Sequence, residues 1–370
     1  MGKDVILDRY GRLYEFPRQL ARLGHDVRCF CMSYQGQDNG EWTHEASSFT
    51  GRLHWESRAP GPLLLPGLAR YPSHVLRSLC TFQPDVLIGA SDIPHAVLTQ
   101  WLAKRLEIPY AIDLYDNFEG FGQARIPGMV AALRRAVRKA ALVTTTSELL
   151  KELVETSYHP TGRVLALPST IDKSVFYPQE KAKCRQAMGL PAGAPLVGTA
   201  GGLLRTRGIG VLYEAWPQIA TTLPDARLVL AGPIDSHYPP PERDDVVYLG
   251  NLSHRETALL FNALDVGVIY LRDTPFGRYC FPQKAYEMIA CHLPIAAADI
   301  GVMTTLFSNP CNLYRADDSA SLRRAILSNL DDPSLPDQEL RDWQEIIADL
   351  EKHFRYIFKN REMEKAKVAA

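Results

Sequence analysis

The stretch Thr199-Ala200-Gly201-Gly202-Leu203-Leu204-Arg205-Thr206-Arg207-Gly208 decides the fold. The apolar run Leu196–Thr199 leads into it and reads as a strand; an amphipathic pattern follows from Gly208 to Leu223 and reads as a helix. Strand, glycine turn and helix in that order form the repeating unit of a parallel α/β sheet. Gly201 and Gly202 let a ligand approach the backbone closely, and the helix start beyond them offers free N–H groups and a positive dipole end, which suit an anion. Arg205 and Arg207 can fork onto phosphate oxygens. The same residues also fit a plain strand–turn–helix with surface arginines.

Outward from this stretch the alternation continues in both directions. Towards the C-terminus the pattern predicts strands Ala226–Ala231, Val246–Leu249, Val266–Leu271 and Ile295–Ala298, with helices Arg255–Leu264 and Gln283–Ala290. Towards the N-terminus it predicts strands Asp4–Leu7, Val27–Met32, Val86–Gly89, Tyr110–Leu114, Leu142–Thr145 and Val164–Leu167. Helices Leu13–Leu23, Ala96–Leu106 and Glu148–Thr156 fall between them. Apolar runs without polar interruption, each followed by a helix, indicate a parallel sheet covered on both faces. Pro168–Pro195 is polar and holds four prolines, at 168, 178, 191 and 195; it reads as the link into a second domain. The expected organisation is residues 1–170 as one Rossmann-like domain and 171–336 as another. Residues 337–370 carry a closing amphipathic helix, Asp337–Lys359, and a charged tail. On that helix Leu340, Trp343, Ile347, Leu350 and Phe354 form one stripe.

A second informative stretch, Thr274–Pro294, follows the strand Val266–Leu271 at its carboxyl end, where open α/β sheets bind ligands. Pro282 pre-organises a helix start. Lys284 and Glu287 then share a face at i, i+3, as a ligand-binding pair or as an exposed salt bridge.

Composition narrows the remaining classes. Of 370 residues, 46% are hydrophobic and 22% charged, which suits an ordinary globular core, and a net charge of −1 recruits no nucleic acid. Seven scattered cysteines fit reduced, buried thiols in a cytoplasmic compartment; Cys29 and Cys31 share a strand face without further zinc ligands. Nothing near Met1 resembles a signal peptide, and no run approaches the roughly 20 apolar residues of a membrane span. The G-x-G-x-x-G fingerprint is missing after the first predicted strand, where only Gly11 stands, so a dinucleotide cofactor is not expected. The P-loop and the G-x-S-x-G elbow are absent as well. No metal-ligand constellation stands out, and none is expected.

Several ordered segments resemble the retaining GT-B glycosyltransferases, the glycosyl transferases group 1 family. In the first half these are Gly24-His25-Asp26-Val27, Ala141-Leu142-Val143-Thr144-Thr145-Thr146-Ser147-Glu148, Pro168-Ser169-Thr170-Ile171-Asp172 and Phe176-Tyr177-Pro178. In the second they are Pro224–Gly232, Leu249-Gly250-Asn251-Leu252 and Glu287–Pro294. The resemblance implies two doubly wound Rossmann-like domains facing a central cleft, the closing helix returning to the first domain, and a nucleotide-diphosphate sugar bound by the second.

By that resemblance Gly201, Gly202, Arg205, Arg207 and Lys284 hold the diphosphate, Glu287 the ribose and Leu252 the base. Arg207 stands at the family's Lys position, whereas Gly202 replaces its Arg and Tyr279 the first of its two Glu; Pro282-Gln283-Lys284 precedes the second. Tyr115 and Asp116 occupy the place of a His-Asp pair, and Gly11, Arg12, His95 and Tyr115 fall on the acceptor side. Asp116, Arg207 and Lys284 are the expected catalytic groups. The leaving diphosphate takes the acceptor proton, so transfer proceeds with retention and with no metal or other cofactor.

The expected acceptor is a glycan or lipid-linked hydroxyl in envelope synthesis. The basic helix Met129–Ala141, with Arg134, Arg135 and Arg138 beside Leu133 and Val137, suits an anionic membrane surface or simply faces water. That places the protein in the cytoplasm or peripherally on the inner face of the plasma membrane. A catalytically weak nucleotide-sugar binder, and an epimerase or phosphorylase on the same scaffold, are the rival readings.

Overall fold

A computed structural model describes residues 5–9, 11–33, 40–44, 50–59, 64–335 and 339–369. The chain forms two compact units: 1–169 with 341–370, and 170–340. These bounds lie one residue before the expected first boundary and four beyond the second. Among the described residues no helix is long and apolar enough to cross a membrane.

The first unit contains strands β1 (Val27–Met32), β2 (Gly40–His44), β3 (Leu53–Arg58), β4 (Leu87–Gly89), β5 (Tyr110–Leu114), β6 (Leu142–Thr145) and β7 (Arg163–Ala166). β4 to β7 pair side by side in chain order, all parallel; β1 and β3 pair in parallel, with β2 antiparallel on the far side of β3. The expected strand Asp4–Leu7 is instead a helical turn, Val5–Asp8, with Asp4 outside the described residues. A three-residue apolar run, Val5–Leu7, fits either element by periodicity. Here Ile6 is buried as a helical knob against Tyr14, Leu53 and Trp55. The apolar stretch Gly61–Ala69, which reads as a loop interrupted by two prolines, enters the helix Leu64–Phe82 from Leu64 on. Pro66 sits in its first turn, where no intrahelical N–H is needed.

The closing helix runs Trp343–Ala369, later than expected, and belongs to the first unit. Asp337 lies outside the described residues, and Leu340 falls in the second unit. Trp343, Ile346, Ile347, Leu350 and Phe354 pack with Phe16 and Leu20 of helix Arg12–Arg22 and with Ala111 and Leu142.

The second unit holds β8 (Leu196–Ala200), β9 (Arg227–Ala231), β10 (Val246–Tyr248), β11 (Val266–Ile269), β12 (Ile295–Ala298) and β13 (Leu313–Tyr314). Their order is β10-β9-β8-β11-β12-β13, all parallel. Counted within the unit this is 3-2-1-4-5-6, the doubly wound order whose reversal falls between β8 and β11. β8, β11 and β12 are buried along their whole length, as continuous apolar strands must be when helices cover both faces. Trp216 of helix Gly210–Thr222 is fully buried in that core.

The polar stretch after Pro168 is not a free link. The Gln179 amide donates to Asn262 Oδ1 at 2.7 Å, and Arg185 pairs with Asp265 at 2.7 Å, so the segment from residue 170 is fastened to the second unit.

Candidate functional site

In the second unit the three strands on one side of the reversal end in glycines drawn together. Gly201 has φ +107° and its N–H donates to Ala231 O at 2.9 Å. Gly232 has φ +117°, and a Cβ there would lie 2.3 Å from the Gly201 carbonyl oxygen. Its N–H in turn donates to Gly250 O at 2.7 Å, which brings the loop carrying Leu252 to the same end of the sheet. Only glycine satisfies both the left-handed backbone and the close approach.

From the other side of the reversal comes Lys284, in the first turn of helix Gln283–Ala290. Its Nζ lies 3.6 Å from where a Gly201 Cβ would stand and 4.6 Å from the centre of the Tyr270 ring. Burial and the neighbouring Arg207 push the Lys284 pKa down to about 8, against a smaller opposing pull from Glu287. Arg207 lies over the Phe276 ring at 5.4 Å, and Arg205 over the Tyr238 ring at 5.3 Å. Nearby Arg272 and Arg278 pair with Asp317 and Asp273, whereas Arg205, Arg207 and Lys284 form no ion pair among the described residues. Arg207 and Lys284 repel each other, Glu287 offsets only part of that repulsion, and an anion between them relieves the rest. Glu287 is buried on the same helix, and Gln283 Nε2 donates to Thr170 O at 3.0 Å. Tyr279 ends the short helix Pro275–Tyr279.

In the first unit, Asp92 caps helix Ile93–Leu106. Its Oδ1 accepts from the His95 N–H at 3.0 Å and lies 2.7 Å from His95 Nδ1, which fixes the imidazole. The Tyr115 hydroxyl donates to Ser91 O at 2.9 Å, tying the end of β5 to the end of β4. Burial, with Asp116 and Asp92 nearby, raises the Tyr115 pKa and keeps it a donor. Asp116 Oδ1 accepts from the Asn117 N–H at 2.7 Å. His95, Tyr115 and Asp116 thus gather at the carboxyl ends of β4 and β5.

Two expectations change. Arg12 is not available to an acceptor: it is buried and grips Asp113 through Nε at 2.9 and 3.0 Å and Nη2 at 2.7 Å, while Nη1 donates to Leu167 O at 2.6 Å. Thr144 Oγ1 also donates to Asp113, at 2.5 Å, so the group closes a core network. Gly11 precedes helix Arg12–Arg22 as its N-cap, after a helical turn rather than a strand.

The basic helix, Met129–Arg138, presents no apolar ridge outward, because Leu133 and Val137 are fully buried. Arg134 pairs with Glu119 at 2.7 Å, and Arg138 Nε donates to Tyr158 O at 3.2 Å. Among the cysteines, Cys80 and Cys311 are exposed rather than buried.

Tyr270, Phe276 and Tyr238, which seat the cations, were not singled out in the sequence. They stand 14 to 69 positions from the cations they seat, so no sequence signal joins them.

Residues 12–170 match the glycosyl transferase 4-like domain, and residues 194–332 match glycosyl transferases group 1. A D-inositol 3-phosphate glycosyltransferase of Stackebrandtia nassauensis is 29% identical over 229 residues, 58% of this chain and 49% of that protein. A putative teichuronic acid biosynthesis glycosyltransferase of Bacillus subtilis is 23% identical over 64% of this chain and 59% of its own. The chain therefore spans about half the length of these curated relatives. A sucrose-phosphate synthase from Thermosynechococcus elongatus superposes with TM-score 0.75 at 20% identity, covering 94% of this chain and 93% of that one. The Anabaena protein HepE in complex with UDP and glucose superposes with TM-score 0.60 at 19% identity, covering 83% and 86%. The two family matches occupy most of the sequence in the order the fold requires, and the chain belongs to the group 1 family of GT-B glycosyltransferases.

Proposed function

We propose that this protein transfers a sugar from a nucleotide-diphosphate sugar to an acceptor hydroxyl, with retention of anomeric configuration and without a metal. The supporting observation is the pair Arg207 and Lys284, two mutually repelling cations that Glu287 offsets only in part, at the glycine turn where the strand order reverses. Glycine backbone and fixed cations stabilise the negative charge that grows on a departing diphosphate. They supply by position what a divalent ion would supply by charge, and the diphosphate oxygen receives the acceptor proton on the face it leaves. Glu287 and the loop at Leu252 take the nucleoside. His95, Tyr115 and Asp116 take part on the acceptor side, with His95 oriented by Asp92.

The curated relatives act on an inositol phosphate and in teichuronic acid synthesis, by their names, which favours a glycan or lipid-linked acceptor in envelope synthesis. Contact with an anionic membrane belongs to the residues left outward, namely Arg125, Ile126, Arg135 and Lys139. Gly202 and Tyr279, where the resemblance leads one to expect Arg and Glu, favour a second reading as a weak nucleotide-sugar binder.

Proton NMR of the product made from a labelled donor, with and without EDTA, separates these readings. The expected product keeps the donor's anomeric configuration and forms at the same rate in EDTA. An inverted product, or activity lost in EDTA and restored by magnesium, overturns the proposal; donor binding without turnover supports the second reading.

A further inference from the structure

Tyr270 follows β11 directly and is only 2% exposed, so its ring is held by the core. It makes two contacts with the anion site. The hydroxyl donates to Gly202 O at 2.8 Å, and the Lys284 Nζ stands 4.6 Å from the ring centre. The peptide on the other side of Gly202 presents an N–H that donates to no group among the described residues.

Resting on the nucleotide-diphosphate reading above, we propose that Tyr270 is the positioning residue of this site. Its ring seats the Lys284 ammonium, and its hydroxyl fixes the glycine turn that carries this N–H. The chemistry favours an aromatic seat. A carboxylate in this place would neutralise the lysine and compete with the phosphate, whereas a ring face attracts an ammonium without adding a charge. Phe276 under Arg207 and Tyr238 under Arg205 repeat the device, and Tyr213 stacks on Tyr238 at 5.5 Å to complete that second support. Burial raises the Tyr270 phenol, so the hydroxyl remains a donor at every working pH.

The two functions separate by substitution. Tyr270→Phe keeps the ring and removes the hydrogen bond; Tyr270→Leu removes both. UDP, GDP and ADP are titrated calorimetrically into the wild-type protein from pH 6 to pH 10, and the nucleotide that binds tightest is then used with both variants. Tyr270→Phe is expected to lose about three- to tenfold in affinity with the pH midpoint of binding unchanged, the size of one hydrogen bond. Tyr270→Leu is expected to lose more and to move that midpoint to lower pH, because a lysine without its ring seat is harder to keep protonated. Wild-type affinity in Tyr270→Phe, with only a lowered melting temperature, overturns the proposal as a merely structural role, and does so even where Tyr270→Leu does not fold. Equal midpoints in the two variants overturn the seating of Lys284. Lys284→Ala separates the levels. If it weakens binding and the Tyr270 variants do not, this inference alone fails; if the wild type binds none of the three nucleotides, the nucleotide-diphosphate reading falls with it.

Discussion

Replacing Lys284 by Met should make the free protein more stable while weakening its nucleotide response. In the folded chain this lysine is largely withdrawn from water, faces Arg207, and has its pKa lowered to about 8. The unfolded chain restores the ordinary value, so between about 8 and the usual lysine range the unfolded state binds more protons and stability rises with pH. The cost of the charged lysine is therefore full below about pH 8 and fades above it. The depression sets an upper bound of about 3 kcal/mol, and partial exposure of the side chain reduces this to about 1–2 kcal/mol. Methionine keeps the length and fills the same space without the charge. For a unit of this size each kcal/mol raises the melting temperature by about 2–4 °C. Differential scanning calorimetry at pH 7 and at pH 10, with and without a nucleoside diphosphate, reads both effects. The expected result is a higher melting temperature than wild type at pH 7, a gap that narrows at pH 10, and a smaller rise on adding ligand than in the wild type. A variant less stable than wild type at pH 7, or one whose ligand-induced rise is intact, refutes the reasoning.

Removing one partner of the buried Arg12–Asp113 pair, in Arg12→Ala or Asp113→Ala, should cost about 3–5 kcal/mol in urea unfolding, since each leaves a buried charge alone; a loss under about 1 kcal/mol would show a pair weak enough to serve an acceptor instead. Arg135→Glu with Lys139→Glu should reduce co-sedimentation with anionic vesicles, while Arg134→Glu, which breaks a pair with Glu119, should act mainly on stability. Equal pelleting of all three proteins with neutral and anionic lipid removes the membrane from the proposal.

Much of the second unit was legible because its strands are short apolar runs between turn signals. Ile295–Ala298 and helix Gln283–Ala290 coincide with their expected bounds, as do Val27–Met32 and Tyr110–Leu114 in the first unit. Val5–Asp8 was misread because four residues carry no period, and the start of Leu64–Phe82 falls in the stretch Gly61–Ala69, which two prolines make look like a loop. Ser319–Asp331 was missed although Leu322 and Ile326 stand four apart behind an Asp318 cap.

In the site, Gly201, Arg207 and Lys284 could be named from two loops. Their aromatic supports come from three other places in the chain, where no spacing rule joins them. Arg12 was placed on the acceptor side by the resemblance alone; its partner Asp113 lies 101 residues away, in the apolar strand Tyr110–Leu114, where no spacing rule joins the two.

The most direct test of the central claim is calorimetric titration of UDP, GDP and ADP into the wild-type protein and into the double variant Arg207→Ala/Lys284→Ala. One nucleotide is expected to bind the wild type at one site per chain, and the double variant should lose about 2–6 kcal/mol of that binding, the sum for two charge-assisted contacts. Binding of the same strength in the double variant, or no binding of any of the three to the wild type, would contradict a nucleotide-diphosphate site at the strand-order reversal.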